Sequence, residues 1–189
     1  EDPEIKDCDD PVLLPAIEGV ISFEGVSFQY PSRPDVPVLE EVSFAVKPGE
    51  TLALVGPSGA GKSTIASLLQ RFFEPGEGRV CVDGHDLRNL RIGDLRKAIA
   101  TVNQEPVLFS GSIGANISYA KESATAEDVS RVAKEAHIAS FIEGLPEGYD
   151  SEVGERGVKI SGGQRRRIAV ARARLGDPGM PMRDAARSQ

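Results

Sequence analysis

Residues 56–64 read Gly-Pro-Ser-Gly-Ala-Gly-Lys-Ser-Thr and fill every fixed position of the spacing G-x-x-x-x-G-K-[ST]. Those residue types suit one chemistry, the capture of a triphosphate tail. Gly56, Gly59 and Gly61 let the backbone curl so that successive N–H groups point inward. Ser58, Ala60 and Thr64 add amides to the same nest, and the start of the following helix adds its positive dipole end. Lys62 would reach the β and γ phosphates as a mobile point charge, and the Ser63 hydroxyl would ligate Mg²⁺. The pattern names ATP-like ligands but says nothing of what the energy is used for.

The elements needed to hold such a loop are present in the expected order. Thr51-Leu-Ala-Leu-Val55 is a short apolar run that predicts a buried strand leading into the loop. Ile65, Leu68, Leu69, Phe72 and Phe73 recur at the spacing of one helix face. Before the loop, Ile21 to Tyr30 nearly alternates, with Gly25 placed to absorb a phase slip as a bulge, and Val42, Phe44 and Val46 follow at strict two-residue spacing. A strand over 79–82 ends at the turn Asp83-Gly84. These pieces predict an antiparallel β layer around the nucleotide strand. A short helix over 91–97 and a core strand over 99–102 come next. From Gly111 the pattern turns helical: Thr125 with Asp128 forms a capping box, 144–149 breaks the periodicity, and a last helix is predicted over about 163–175.

Composition limits the alternatives. The chain has 189 residues, 40% of them hydrophobic, and no Trp, so aliphatic side chains must build its core. A net charge of −7 argues against nucleic acid as a partner, since phosphate-backbone binding requires a basic surface. Two cysteines, Cys8 and Cys81, make no disulfide framework and suit a reducing compartment. His85 and His137 lack metal-ligand spacing. No run approaches the roughly 18 apolar residues of a membrane span, so any membrane part is expected elsewhere. The opening at Glu1 rather than Met suggests a piece of something longer. Residues 1–16, with Asp2, Glu4, Asp7, Asp9 and Asp10, read as an acidic flexible linker.

Ile160-Ser-Gly-Gly-Gln164 puts a second glycine-rich nest at the start of the last helix. Alone, the pentapeptide reads as a Ser-capped helix start. Following the phosphate loop about 100 residues later, it resembles the nucleotide-binding domain of ATP-binding cassette (ABC) transporters over about 17–178. Phe28-Gln-Tyr-Pro-Ser-Arg-Pro-Asp-Val-Pro-Val-Leu39 is most similar to the exporter subfamily B of multidrug, peptide and mitochondrial half-transporters. The fold this implies is α/β, a P-loop NTPase of ABC type: a RecA-like core, an antiparallel β layer and an α-helical subdomain over about 111–165.

The resemblance also implies roles. Tyr30 would stack on adenine, although by itself it is an end-of-strand aromatic. Gln104 matches the loop whose side chain helps hold Mg²⁺ and which meets the membrane domain. Ser151-Glu-Val-Gly-Glu-Arg-Gly157, with Glu155 singled out, is similar to a segment that touches a partner's membrane-domain loops. Ser161, Gly162, Gly163 and Gln164 would close on the ATP of a second cassette in a head-to-tail dimer. The implied ligands are ATP and Mg²⁺, and the implied partners are that second domain and the parent's transmembrane domain. The parent would be integral to a membrane, with this domain on its cytosolic or matrix side.

One part of the family pattern is missing. Members continue past the last helix into an apolar strand ending in Asp-Glu, then a later His. Here residues 179–189 read Gly-Met-Pro-Met-Arg-Asp-Ala-Ala-Arg-Ser-Gln, with no apolar strand, and are expected to be a non-family tail, foreign or frame-altered, that leaves the domain C-terminally incomplete. No catalytic residue is therefore identified, and little turnover is expected from this chain alone. The alternative to a transporter ATPase is a truncated module that binds ATP or a partner cassette without hydrolysis. A chromosome-maintenance ATPase would need long heptads between the two motifs, which are not there.

Overall fold

The structure is a computed structural model that describes residues 5–13, 17–103, 105–154 and 157–183. The chain divides into two units, residues 1–99 and 100–189.

In the first unit, β1 (Ile21–Gln29) lies between β2 (Pro37–Val46) and β3 (Glu77–Val82), and β4 (His85–Asp86) extends the sheet in the order β2-β1-β3-β4. All three pairings are antiparallel. Alternation in β1 buries Phe23, Val26 and Phe28. The phase slip falls at Gly25, whose φ of 59° and the register shift between Phe23 and Val26 mark the expected bulge. Asp83 and Gly84 turn β3 into β4 with φ of 50° and 80°. The Asp83 carboxylate accepts the amides of Glu18, Gly19 and Val20 at 2.9, 3.0 and 2.8 Å.

Helix α1 (Lys62–Leu69) follows the phosphate loop and buries Leu68 and Leu69. It stops short of Phe72 and Phe73, which the periodicity had placed on its apolar face. The cause is Arg71, whose φ of 52° turns the chain out of the helix. Its guanidinium is buried, donating to the Leu90 carbonyl at 3.1 Å, the Lys6 carbonyl at 3.0 Å and Glu74 at 3.0 Å. Satisfying this buried charge fixes the end of α1.

Two expectations for this unit are corrected. Thr51–Val55 forms no strand, and Leu52, Leu54 and Val55 are 45%, 40% and 71% exposed. A parallel strand takes both its hydrogen bonds and its cover from neighbours, and among the described residues no strand lies beside this run. The acidic segment, for its part, is docked over residues 5–13 rather than free. The Val12 amide donates to Asn89 O at 2.7 Å, and Val12 O accepts from the Arg91 amide at 3.3 Å. Asp7 accepts the Ile92 amide at 2.7 Å, capping α2 (Ile92–Ala98). Composition reports the surplus charge but not the backbone partners that hold the segment.

In the second unit, β5 (Ile99–Val102) pairs with β8 (Met180–Arg183), and β6 (Gly111–Ser112) pairs with β7 (Glu152–Val153). The strand Met180–Arg183 lies where the sequence offered no apolar strand. Met180 is 4% exposed, and β5 offers the edge on which a short segment can pair. Helices α3 (Ile113–Ser118), α4 (Ala126–Glu135), α5 (Ala139–Glu143) and α6 (Gly162–Leu175) enclose Ile113, Ile117, Val132, Ile138, Ile142 and Ile168, all fully buried. This core continues to Leu175, past the expected edge of the helical part near residue 165. Thr125 and Asp128 make the expected capping box at the start of α4.

Candidate nucleotide-binding site

The phosphate loop turns through two left-handed glycines, Gly59 at φ 86° and Gly61 at φ 79°. Gly61 also packs closely: a Cβ there would lie 2.6 Å from Leu39 Cδ2 and 3.1 Å from Val38 O. No side chain caps α1 at Gly61, and the first intrahelical bond runs from the Ile65 amide to Gly61 O at 3.0 Å. The amides of Lys62, Ser63 and Thr64 are thus donors without intrahelical partners, gathered at the positive end of α1. Lys62 Nζ donates to the carbonyls of Gly56 and Pro57 at 2.8 and 2.6 Å. That contact ties the ammonium back to the first residues of the loop. Ser58 and Ala60 are exposed along the rim, where the Ala60 amide reaches Pro57 O at 3.3 Å. Convergent amides, an ammonium and an exposed Ser63 hydroxyl make a donor set that fits a phosphate chain and its cation.

Tyr30 stands just past the end of β1, half-buried, and its hydroxyl shares a hydrogen bond with Thr64 Oγ1 at 2.9 Å. Phe28 and Phe73 meet its ring edge-on, with centroids 5.0 and 5.1 Å away. The structure therefore brings Tyr30 and the phosphate loop together. The bond to Thr64 was not foreseen, because nothing in the spacing of residues 30 and 64 signals it. A cleft of about 630 Å³ also opens beside Tyr30, between Phe72, Phe73 and Arg96. It includes no residue from 56 to 64 and is not the phosphate site.

In the second unit, Ser161 caps α6 in a reciprocal capping box. Its hydroxyl accepts the Gln164 amide at 3.2 Å, and Gln164 Oε1 accepts the Ser161 amide at 2.8 Å. The cap reading of this motif is therefore realised, and it leaves Gly162 and Gly163 exposed at the first turn with their amides outside the box. Gln104 and Glu155 lie outside the described residues. No cluster of His, Cys, Asp and Glu able to hold a metal occurs among the described residues. Cys81 is buried in β3 and Cys8 is exposed, both as free thiols.

Together, fold and loop define a P-loop domain of the kind that binds nucleoside triphosphates. A family model described as ABC transporter matches residues 39–187. The chain belongs to that family. It is 50% identical over 172 residues to ABC transporter B family member 3 of Dictyostelium discoideum, covering 91% of this chain and 12% of that protein. It is 48% identical over 174 residues to ATP-binding cassette sub-family B member 10, mitochondrial, of Mus musculus, covering 90% of this chain and 24% of that protein. Among solved structures, a bacterial Atm1-family ABC exporter with ATP bound matches with a TM-score of 0.88 and 44% identity, covering 95% of this chain and 31% of that one. The chain thus spans under a quarter of these curated relatives' length, and its fold is that of the ABC-type ATP-binding domain. Among the described residues no helix is long and apolar enough to cross a membrane.

Proposed function

We propose that this chain is the ATP-binding cassette of a B-family exporter, whose parent couples ATP binding and hydrolysis to transport across a membrane. The observation that carries the reading is the uncapped start of α1, where the first amides lack intrahelical partners and the Lys62 ammonium folds back onto the Gly56 and Pro57 carbonyls of the loop. The amides of Gly56, Ser58, Gly59, Ala60, Gly61, Lys62, Ser63 and Thr64 and the Lys62 ammonium would hold the phosphates. Ser63 with Gln104 would hold Mg²⁺ shared with the phosphate oxygens, and Tyr30 would stack on the base. The exposed amides of Gly162 and Gly163, with Ser161 and Gln164, would meet the ATP of a second cassette head to tail. A transmembrane domain of the parent would carry the substrate and anchor the cassette at the membrane.

Hydrolysis needs a base positioned at the attacking water, and residues 176–189 contain no Asp-Glu pair to supply one. The chain by itself is therefore a nucleotide binder with low turnover. Calorimetric titration with Mg-ATP tests this directly. The wild-type chain should bind, Lys62→Ala should weaken binding at least about tenfold, and phosphate release should stay near background. A folded wild-type chain that takes up no ATP at millimolar concentration would refute the reading.

A further inference from the structure

Residues 5–13 are tied to the far end of the phosphate-loop helix by two routes. The direct one runs through Arg71, which ends α1 and is 4% exposed. Its Nη2 donates to the Lys6 carbonyl at 3.0 Å and its Nη1 to the Leu90 carbonyl at 3.1 Å. The other route runs through α2. Asp7 accepts the Ile92 amide at the start of that helix, and Arg96 near its end donates to the Gln70 and Arg71 carbonyls at 3.1 and 3.0 Å. Val12 closes the circuit on the loop before α2, bonding Asn89 O and the Arg91 amide. Ile5, half-buried, also shares a cleft wall with Tyr30 and Phe73. A segment that leaves this dock takes an acceptor from the Arg71 guanidinium and the cap from α2, so both anchors on the end of α1 loosen together.

We propose that residues 5–13 form a strap whose docking is coupled to nucleotide binding. Docked, the strap holds the end of α1, and α1 sets where the amides of Lys62, Ser63 and Thr64 lie. Nucleotide at those amides in turn holds the strap down. The inference rests on the ATP-binding reading above. Helix α1 has only eight residues, so its two ends, about 12 Å apart, move as one rigid piece. A partner that draws the segment off therefore lowers the affinity for ATP, and by linkage ATP opposes that release by the same factor. A strap that only adds stability would show no such reciprocity.

Hydrogen exchange of the full chain, followed by NMR with and without saturating Mg-ATP, reads the strap, and calorimetric titration with Mg-ATP reads the site. Mg-ATP should slow exchange of the Val12 and Ile92 amides about three- to tenfold. The Val20 amide, which Asp83 holds at 2.8 Å, bonds neither Arg71 nor α2 and should change less than about twofold. Val12→Pro removes the amide that reaches Asn89, and Asp7→Ala removes the α2 cap; each should lower ATP affinity about three- to tenfold. Asp7→Asn caps as well as aspartate and should stay within about twofold of wild type. Unchanged ATP affinity in Val12→Pro or Asp7→Ala, a loss in Asp7→Asn as large as in Asp7→Ala, or equal slowing of the Val12, Ile92 and Val20 amides would each overturn the proposal. Should Val12→Pro fail to fold, Asp7→Ala and the wild-type exchange decide. A wild-type chain that takes up no ATP refutes the ATP-binding reading and the coupling with it. One that binds ATP without slowing the strap refutes the coupling alone.

Discussion

Arg172 grips Asn116 from two directions, its Nε donating to the Asn116 carbonyl and its Nη2 to Asn116 Oδ1, both at 2.8 Å. Asn116 passes the grip on. Its Oδ1 accepts the Phe109 amide at 2.8 Å, and its Nδ2 donates to the Phe109 and Ser112 carbonyls at 2.9 and 3.0 Å. Arg172 also lies over the Phe109 ring at 4.8 Å and reaches Val107 O at 3.2 Å. Residues 107–109 are therefore clamped between α3 and α6. The clamp is made of polar groups that are costly to leave unpaired.

Asn116→Ala is the sharpest test of that clamp. Asn116 is 2% exposed, and its removal leaves the Phe109 amide, the Phe109 and Ser112 carbonyls and the Arg172 guanidinium without the side-chain partner that now satisfies them. The expected loss is about 2–4 kcal/mol of stability, with faster hydrogen exchange at the Phe109 amide. Urea unfolding followed by circular dichroism gives the first quantity. A loss under about 0.5 kcal/mol would mean the network is decorative.

Gly61→Ala should damage the phosphate loop from inside. The residue sits at φ 79°, where an L side chain is strained, and the added Cβ meets Leu39. Destabilisation of about 1–3 kcal/mol is expected, together with loss of ATP binding as the loop shifts to relieve the contact. Gly84→Ala has the same sign of φ, 80°, but open space around the Cβ, and should cost stability with ATP affinity retained. Equal effects on ATP binding from both changes would contradict the close-packing argument.

Local signals were legible in the sequence where the cause was local. The Gly25 bulge, the Asp83-Gly84 turn and the Thr125–Asp128 box each depend on residues within a few positions of one another. The glycine pattern of the loop likewise declares itself, because left-handed backbone leaves few other residue choices. What could not be read depends on distant partners. The run 51–55 has a strand's composition, yet composition cannot provide the neighbours that make a strand. Residues 5–13 look like a solvated linker until Asp7 is seen to cap α2 and Lys6 to receive Arg71. The same holds for Thr64 and Tyr30, and for Arg172 and Asn116: each pair meets only after folding, and neither spacing nor residue type foretold the contact.

Acid should loosen the helical part through Asp128. The Thr125 amide, donating to its carboxylate at 3.2 Å, holds Asp128 below the usual aspartate range. A carboxyl with a depressed folded pKa stabilises the fold above its unfolded value, near 3.9, and loses that contribution as pH falls through the lower folded value. Glu135, held down by Arg174 and Arg131, acts with the same sign. Stability should therefore decline from about pH 4 downward, and Asp128→Asn should flatten part of that slope. Carboxyl titration by NMR checks the premise: an Asp128 midpoint at or above that of a free aspartate would remove it.

The exposed run Leu52, Leu54 and Val55 should govern self-association. Apolar side chains on a segment with no sheet partner among the described residues invite pairing with other chains, since edge-to-edge contact supplies both hydrogen bonds and cover. Val55 is 71% exposed, so Val55→Lys removes no packed contact and should leave the melting temperature within about 2 °C of wild type. The added charge should nevertheless suppress concentration-dependent assembly, seen as a smaller weight-average mass by sedimentation velocity across a tenfold range of concentration. The same substitution at buried Val26 would unfold the β layer instead, which separates a surface effect from general destabilisation. If Val55→Lys assembles as the wild type does, association runs through another surface and the run at 51–55 is not its cause.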